Sequence, residues 1–250
     1  MKKLGLIGFP LGHSFSKKYY LEKFKKENIT DINYDLYSIE HIHEFEKIFN
    51  DKDFYGVNVT IPHKISVLPY LHELSPEAKA IQAVNCIQIK HNSKGSYLKG
   101  YNTDVFGFME SLKPLLEQQH NKALILGNGG AAKAVEYGLK ELHIEYKFVS
   151  RVKKENNLTY DEVTPNILEE YSIIINCSPV GTFPNIENSP DIPYQHITPK
   201  HLLYDLVYNP EETEFLKKGK HQGAKIKNGL EMLELQAEKN WEIWNSISDH

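Results

Sequence analysis

The chain has 250 residues, of which 40% are hydrophobic and 25% are charged, a composition close to the average of globular proteins. Its formal net charge of -4 excludes the strong basic excess typical of nucleic-acid-binding domains. Cys86 and Cys177 are too few for a disulfide framework, and no segment approaches the roughly 18 continuous apolar residues of a membrane span. These totals predict a soluble, cytoplasmic protein with one large domain or two smaller ones.

Strands and helices alternate along the first hundred residues. Apolar runs predict strands over 4–9, 34–39 and 56–61, the last of them stopped by Pro62. Amphipathic spacing predicts helices over 16–27 and 42–49, and a further helical stretch runs toward residue 74. Residues 84–90 and 96–99 are typical of a hairpin around an Asn-Ser-Lys-Gly turn.

The alternating pattern restarts at Asp104 and continues along the second half of the chain. Helices are predicted over 105–115, 131–142 and 230–247, and strands over 123–126, 146–150, 173–176, 202–206 and 224–226. Strands alternating with helices of this size imply βαβ units and parallel sheets. Since a complete α/β pattern precedes the middle of the chain, we predict two α/β domains with a boundary near 102–104.

A glycine-rich loop separates the strand at 123–126 from the helix that follows it. Gly127 permits a tight turn, and Gly129 lets the backbone approach a pyrophosphate. The exposed N–H groups of the helix N-terminus then favour the phosphates. An ordinary tight turn is the alternative, but the strand–loop–helix context favours a dinucleotide site. Its predicted contacts are Gly127, Asn128, Gly129, Gly130 and Ala131.

The residues at the end of the strand predicted over 146–150 indicate which cofactor is bound. NAD sites usually carry an acid there, which accepts from the ribose 2′-OH. Here Ser150 and Arg151 follow the strand, and no acid stands before Glu155. A guanidinium binds a 2′-phosphate in a forked geometry, whereas a carboxylate would repel it. The alternative is that Arg151 is a solvated surface charge, but its position favours NADP.

Polar side chains cluster at or near predicted strand ends in the first half of the chain. They are Ser14 with Ser16, Thr60 with Lys64, Asn85, and Asp104. In open α/β sheets, ligands bind beyond the carboxyl ends of strands, which favours these residues as ligand contacts. Each also has a plain structural interpretation. The serines and Asp104 suit helix N-caps, and Lys64 suits a solvated surface position.

The motifs together resemble the shikimate dehydrogenase family along essentially the whole chain. The shared segments, in order, are Gly8-Phe9-Pro10, His13-Ser14-Phe15-Ser16, Asn58-Val59-Thr60-Ile61-Pro62-His63-Lys64, Ala83-Val84-Asn85, Gly100-Tyr101-Asn102-Thr103-Asp104, the glycine loop, Asn176-Cys177-Ser178-Pro179-Val180-Gly181, and Asn228-Gly229 with Met232-Leu233 and Gln236. The resemblance implies a substrate-binding and catalytic domain over 1–103, a Rossmann-like NADP-binding domain over 104–229, and a C-terminal helix at 230–250 that returns to the first domain.

The resemblance also implies an activity and a set of site residues. The activity is the reversible NADPH-dependent reduction of 3-dehydroshikimate to shikimate, in aromatic amino-acid biosynthesis. Lys64 and Asp104 are the implied catalytic residues. The implied substrate contacts are Ser14, Ser16, Thr60, Lys64, Asn85, Asp104, Tyr208 and Gln236. The implied cofactor contacts outside the glycine loop are Ser150, Arg151, Gly229 and Met232.

The reaction itself explains the lysine and the aspartate. Hydride reaching a ketone carbon makes an alkoxide, to which Lys64 can supply both a proton and positive charge. Asp104 can orient the ammonium group, and no metal is required. A quinate or aminoshikimate-type dehydrogenase and a non-catalytic NADP-binding sensor of the same fold remain alternatives. We expect a monomer or homodimer without nucleic-acid or membrane partners.

Overall fold

A computed structural model describes residues 1–12, 14–93 and 95–246. The chain forms two compact units, of which the first comprises Met1–Thr103 with the chain from Gln236 onward and the second comprises Asp104–Leu235. Residue 247, to which the predicted last helix extends, lies outside the described residues together with 248–250. None of the described helices combines the length and apolar character that crossing a membrane requires.

The first unit is built on a mixed sheet. Its elements are β1 (Lys2–Gly8), α1 (Phe15–Lys26), β2 (Ile32–Ser38), α2 (Phe45–Phe49), β3 (Phe54–Val59), α3 (His63–Ser66), β4 (Glu73–Leu74), α4 (Pro76–Ile81), β5 (Cys86–Asn92) and β6 (Gly95–Tyr101). The described strands are ordered β2-β1-β3-β5-β6-β4. Strand β1 runs parallel to both β2 and β3, as the βαβ pattern predicts.

The prediction of parallel sheets is wrong where β5 pairs with β3. Strand β5 runs antiparallel to β3 and to β6. The predicted hairpin that joins β5 to β6 is confirmed, and a short turn can connect only antiparallel neighbours.

The predicted helical stretch toward residue 74 is interrupted. Helix α3 ends at Ser66, and a second short helix, α4, begins where Ser75 accepts from the Ala78 N–H at 3.3 Å.

The second unit is built on a sheet whose described strands are all parallel. Its elements are α5 (Asp104–Leu112), β7 (Lys122–Leu126), α6 (Gly130–Glu141), β8 (Glu145–Val149), β9 (Asn157–Leu158), α7 (Pro165–Glu170), β10 (Ile173–Asn176), β11 (Leu202–Asp205), α8 (Glu214–His221), β12 (Lys225–Lys227) and the first part of α9 (Leu230–Asn245). The strand order is β12-β11-β10-β7-β8-β9. Apolar clusters line both faces, as in doubly wound α/β folds.

The later part of α9 completes the core of the first unit. Ala237 and Trp244 belong to the same apolar cluster as Leu4 and Tyr20. The indole Nε1 of Trp244 donates to the Ile87 carbonyl at 3.0 Å. At Gly56 in β3, an added Cβ would lie 2.3 Å from the Trp244 ring, so a side chain there would displace the tryptophan. Helix α9 thus belongs to the first unit from Gln236 onward, whereas its residues 230–235 belong to the second unit.

Candidate active site

Ser14 and Ser16 lie at the start of α1, directly after the loop that follows β1. The Ser14 hydroxyl accepts from the Lys17 N–H at 3.4 Å, so it caps the helix, as its structural interpretation predicts. Ser16 forms a hydrogen bond with Tyr34, a fully buried residue whose pKa is raised by burial. The Tyr34 hydroxyl in turn donates to Asn58 Oδ1 at 2.8 Å. Both serines therefore stand beyond the end of a parallel strand.

Lys64 lies in α3, and its backbone is tied to neighbouring segments. Its carbonyl accepts from the Val84 N–H at 2.8 Å. The preceding residue, His63, is 3% exposed, and its Nε2 contacts the Ile39 carbonyl at 2.7 Å. Thr60, just after β3, donates its N–H to the Ile7 carbonyl at 2.9 Å. These bonds hold the half-buried lysine at the carboxyl ends of β1 and β3.

A buried amide network stands at the beginning of β5. The Thr103 N–H donates to Asn85 Oδ1 at 2.8 Å, and Asn85 Nδ2 donates to Thr103 Oγ1 at 2.9 Å. Asn85 Nδ2 also lies 3.5 Å from Gln236 Oε1. The structure thus brings together two of the residues implied by the resemblance, Asn85 and Gln236. Asp104 follows Thr103 in the chain as the half-buried first residue of α5.

Three members of this network were not predicted as site residues, although Asn58 and Thr103 lie within the shared motif segments. Asn58 donates from Nδ2 to the Asn85 carbonyl at 3.3 Å. Thr103 donates its hydroxyl to Asn240 Oδ1 at 2.6 Å, and Asn240 Nδ2 donates to Gln236 Oε1 at 3.0 Å. For Asn240, the available signal was its four-residue spacing from Gln236, which places two amides on the same face of a helix.

The glycine loop of the second unit joins β7 to α6. Gly127 has φ +103°, a conformation that favours glycine, and its N–H donates to the Val149 carbonyl at 2.8 Å. Gly129 has φ -75°, and a Cβ on Gly129 or Gly130 would meet no atom within 4 Å. Because neither backbone conformation nor packing requires glycine at these two positions, the open space suits a ligand. The residues present therefore fit a diphosphate at the N-terminus of α6.

The end of β8 carries Ser150 and Arg151. The Ser150 hydroxyl donates to the Val152 carbonyl at 2.8 Å and accepts from Asn157 Nδ2, so it is engaged within its own loop. Arg151 is exposed, and it is the one arginine among the 29 Lys and Arg residues of the chain. Lys153 lies 2.6 Å from Glu162 and lowers the pKa of that carboxyl to about 2. The positive charge of Lys153 is thus already matched by an acid.

Asp205, which sequence reasoning did not single out, is a fully buried carboxylate at the end of β11. Asn176 Nδ2 donates to its Oδ1 at 2.9 Å, the Val207 N–H donates to the same oxygen at 3.0 Å, and the Thr213 hydroxyl donates to Oδ2 at 2.6 Å. Burial raises the pKa of Asp205 to about 6, although the three donors oppose the shift. The network fixes the loop that leads to Tyr208, which is 37% exposed.

Gly229 and Met232 have packing functions of their own. A Cβ on Gly229 would lie 2.2 Å from the Leu206 carbonyl oxygen, so the close approach of two backbones requires glycine there. Met232 is 8% exposed and belongs to a core cluster of the second unit. Within the described ranges, no three His, Cys, Asp or Glu side chains are grouped so that they could hold a metal ion.

Comparison with known proteins assigns the family. The model of the shikimate dehydrogenase substrate binding domain matches residues 6–87. A Clostridium beijerinckii protein named shikimate dehydrogenase (NADP(+)) is 40% identical over 98% of this chain and 92% of its own length. A chorismate mutase/shikimate 5-dehydrogenase fusion protein from Clostridium acetobutylicum is 36% identical, with a TM-score of 0.85 and coverage of 99% of this chain and 92% of that one. Shikimate 5-dehydrogenase from Thermus thermophilus, in complex with NADP(H) and shikimate, is 28% identical, with a TM-score of 0.83 and coverage of 100% and 95%. The chain therefore belongs to the shikimate dehydrogenase family.

Proposed function

We propose that this chain is an NADP-dependent shikimate dehydrogenase, which reversibly reduces 3-dehydroshikimate to shikimate in the pathway to chorismate and the aromatic amino acids. The observation that carries the proposal is the group of polar side chains beyond the strand ends of the first unit, where Lys64, Asn85 and Gln236 are held by buried hydrogen bonds. The names of the relatives supply the substrate and cofactor that such a group would serve.

Lys64 and Asp104 are the proposed catalytic residues. When bound, NADPH supplies the hydride for the carbonyl carbon. The Lys64 ammonium then donates a proton to the developing alkoxide and stabilises its negative charge. Asp104 orients that ammonium and accepts a hydrogen bond from the neighbouring ring hydroxyl. The tethered backbone of Lys64 supports this role, because a proton donor must be held within hydrogen-bond reach of the reacting oxygen.

The remaining polar residues are proposed to bind the substrate. Ser14 donates to its carboxylate, Ser16 does so by turning its hydroxyl proton from Tyr34 to the ligand, and Tyr208 closes the same end. Thr60, Asn85 and Gln236 bind the ring hydroxyls together with the two catalytic residues. Their variety suits a small ring that carries one anionic group and several hydroxyls, since each hydroxyl can both donate and accept.

The second unit is proposed to bind the cofactor. The backbone of Gly127, Asn128, Gly129, Gly130 and Ala131 cradles the diphosphate. The Arg151 guanidinium binds the adenosine 2′-phosphate in a forked geometry, which a lysine could not reproduce. Ser150, whose hydroxyl is already engaged, shapes the turn that presents Arg151. Gly229 and Met232 lie beside the nicotinamide in this proposal, where the packed methionine would limit the space for the ring.

We also propose a cytoplasmic location and a monomeric or homodimeric state. Free thiols at Cys86 and Cys177 are in keeping with a reducing compartment. Size-exclusion chromatography with light scattering would determine the oligomeric state.

The experiment that tests the function is a substrate panel. The purified chain would be assayed with shikimate and with quinate, each with NADP and with NAD, by absorbance of the reduced nicotinamide. We expect the highest kcat/KM with shikimate and NADP, about tenfold or more above each other combination. Preference for quinate would assign the chain to a quinate dehydrogenase. Cofactor binding without turnover of either substrate would exclude both activities and leave an aminoshikimate-type dehydrogenase or a sensor.

A further inference from the structure

Asn240 lies one helical turn beyond Gln236 in α9 and is fully buried. It accepts from the Thr103 hydroxyl at 2.6 Å and donates to Gln236 Oε1 at 3.0 Å. The Tyr20 hydroxyl, which donates to the Ala237 carbonyl at 2.8 Å, also forms a hydrogen bond with Asn240. A fully buried amide with several polar partners is costly unless its bonds are satisfied, so its orientation is strongly constrained.

The directions of the hydrogen bonds in this network follow from one backbone N–H group and from the shorter of two contacts of one hydroxyl. The Thr103 N–H can only donate, so the side-chain atom of Asn85 that faces it must be the oxygen. Asn85 Nδ2 therefore donates to Thr103 Oγ1 at 2.9 Å. The Thr103 hydroxyl lies 3.2 Å from Asn85 Oδ1 and 2.6 Å from Asn240 Oδ1, and its single proton goes to the shorter contact. This leaves Asn240 Nδ2 as the donor toward Gln236.

The chain of donors ends at the Gln236 amide. Its Oε1 accepts from Asn240 Nδ2 at 3.0 Å and faces Asn85 Nδ2 at 3.5 Å. A reversed amide would set the Gln236 NH2 group against two other NH2 groups. The network therefore determines which end of the amide is turned inward, and the outward end is the Nε2 donor.

We propose that Asn240 is a positioning residue that fixes the Gln236 amide with its NH2 group toward the substrate, so that this side chain selects an oxygen acceptor, a ring hydroxyl. The inference rests on the proposed function, since it takes Gln236 as a substrate contact. Without Asn240, Gln236 Oε1 would retain the longer contact to Asn85. The orientation that presents a donor to the ring would then be less strongly favoured.

The test compares Asn240→Leu, which keeps a side chain of similar size, with Gln88→Leu. Gln88 is a buried amide that donates to the Ile243 carbonyl of α9 at 2.5 Å and therefore anchors the same helix without contacting Gln236. We expect Asn240→Leu to raise the KM for shikimate about tenfold and to leave the KM for NADP within about twofold. Gln88→Leu should lower the melting temperature with neither KM changed. Equal KM values for Asn240→Leu and the wild type would overturn the proposal.

Two further measurements separate positioning from general damage. In a Gln236→Ala background, Asn240→Leu should produce no additional rise in shikimate KM, because its effect passes through the glutamine. An undiminished rise would contradict the proposal.

The second measurement is an NMR spectrum of protein labelled with 15N-glutamine. The side-chain NH2 signal of Gln236 should shift in Asn240→Leu and stay in place in Gln88→Leu. An unmoved signal in Asn240→Leu would overturn the amide orientation. Because this spectrum needs no turnover, absence of shikimate oxidation by the wild type would refute the proposed function separately.

Discussion

The two units present their polar groups in different ways. In the first unit, Asn85 and Gln236 are side chains oriented by other side chains, and their amides come from positions 151 residues apart in the chain. In the second unit, the loop from Gly127 to Ala131 presents the backbone itself, exposed because small residues leave it uncovered. The first unit assembles its polar group by long-range folding, whereas the second unit exposes its backbone groups along one short segment.

The difference predicts how each unit responds to substitution. A site made of side chains loses one specific bond when one residue changes, and its neighbours keep their places. A site made of backbone changes only when a substitution alters the path of the chain or fills the space above it. Substitutions in the first unit should therefore act on the chemistry and on shikimate, and substitutions in the second unit should act on the cofactor or on stability.

The largest effect is expected at Lys64 in the first unit. Lys64→Ala removes the proposed proton donor and should reduce kcat by about three orders of magnitude, with a modest change in shikimate KM. Steady-state kinetics in both reaction directions would measure it. Lys79→Ala, at an exposed lysine of α4, is the matched control and should behave as the wild type. A kcat near the wild-type value for Lys64→Ala would refute the acid role.

The next largest effect concerns the buried carboxylate of the second unit. Because the folded pKa of Asp205 is about 6 and the ordinary value is 3.8, the folded state binds more protons than the unfolded state between these values. The contribution of Asp205 to the free energy of unfolding is therefore fully present below about pH 4. It is lost as the pH rises through about 6, and the total loss is at most about 3 kcal/mol.

Asp205→Asn should remove that dependence while keeping the bonds to Oδ1. The urea midpoints of Asp205→Asn and the wild type would be compared from pH 4 to pH 8. The midpoint of the variant should rise relative to that of the wild type as the pH increases. A difference that does not change with pH would contradict the prediction. Thr213→Val, which removes the donor to Oδ2 and leaves the carboxylate, is the control that should keep a pH dependence.

Arg151→Ala tests cofactor choice in the second unit. Loss of the guanidinium should raise the KM for NADP by about tenfold to a hundredfold and leave the KM for NAD nearly unchanged. Lys154→Ala removes another exposed cation from the same loop and should have a much smaller effect. An equal rise in the KM values for NADP and NAD in Arg151→Ala would refute the proposal that this residue binds the 2′-phosphate.

The smallest effects are expected from two glycines of one loop. Gly127→Ala places a side chain at φ +103° and should destabilise the second unit by about 1–2 kcal/mol. Gly129→Ala meets neither strain nor neighbours, so it should leave the melting temperature unchanged and raise the KM for NADP. Calorimetry and kinetics of both variants would separate the two effects. A matching loss of stability in Gly129→Ala would show that the loop is not the open cradle described above.

Local patterns in the sequence predicted the strand directions of the second unit better than those of the first. The parallel strands and the glycine loop depend on runs of adjacent residues, and they are recognised without knowledge of the tertiary fold. The antiparallel direction of β5 depends on how α3 and α4 return the chain, and periodicity does not specify this. Helix α8 was missed even though Thr213 caps it, because its eight residues are short for a periodicity argument.

Within the candidate site, residue types were predictable and their partners were not. Asn85 and Gln236 belong to segments that resemble a family, so both could be named from the sequence. Their shared bonds through Thr103 and Asn240 exist only after β5, the end of β6 and α9 have come together. The burial of Asp205 likewise depends on the packing of Thr213 and Asn176 around it, which no local pattern encodes.

Trp244, which packs against Gly56, also determines when the core of the first unit can be completed during translation. Trp244 bonds to the carbonyl of Ile87, a residue that leaves the ribosome 157 positions earlier. Strands β1, β3 and β5 are therefore made early, but one face of their core stays open until α9 emerges. The second unit, encoded between them, has nearly its whole sequence available first. The amino-terminal unit is begun first and completed last, a reversal of the usual order in which domains fold as they are translated.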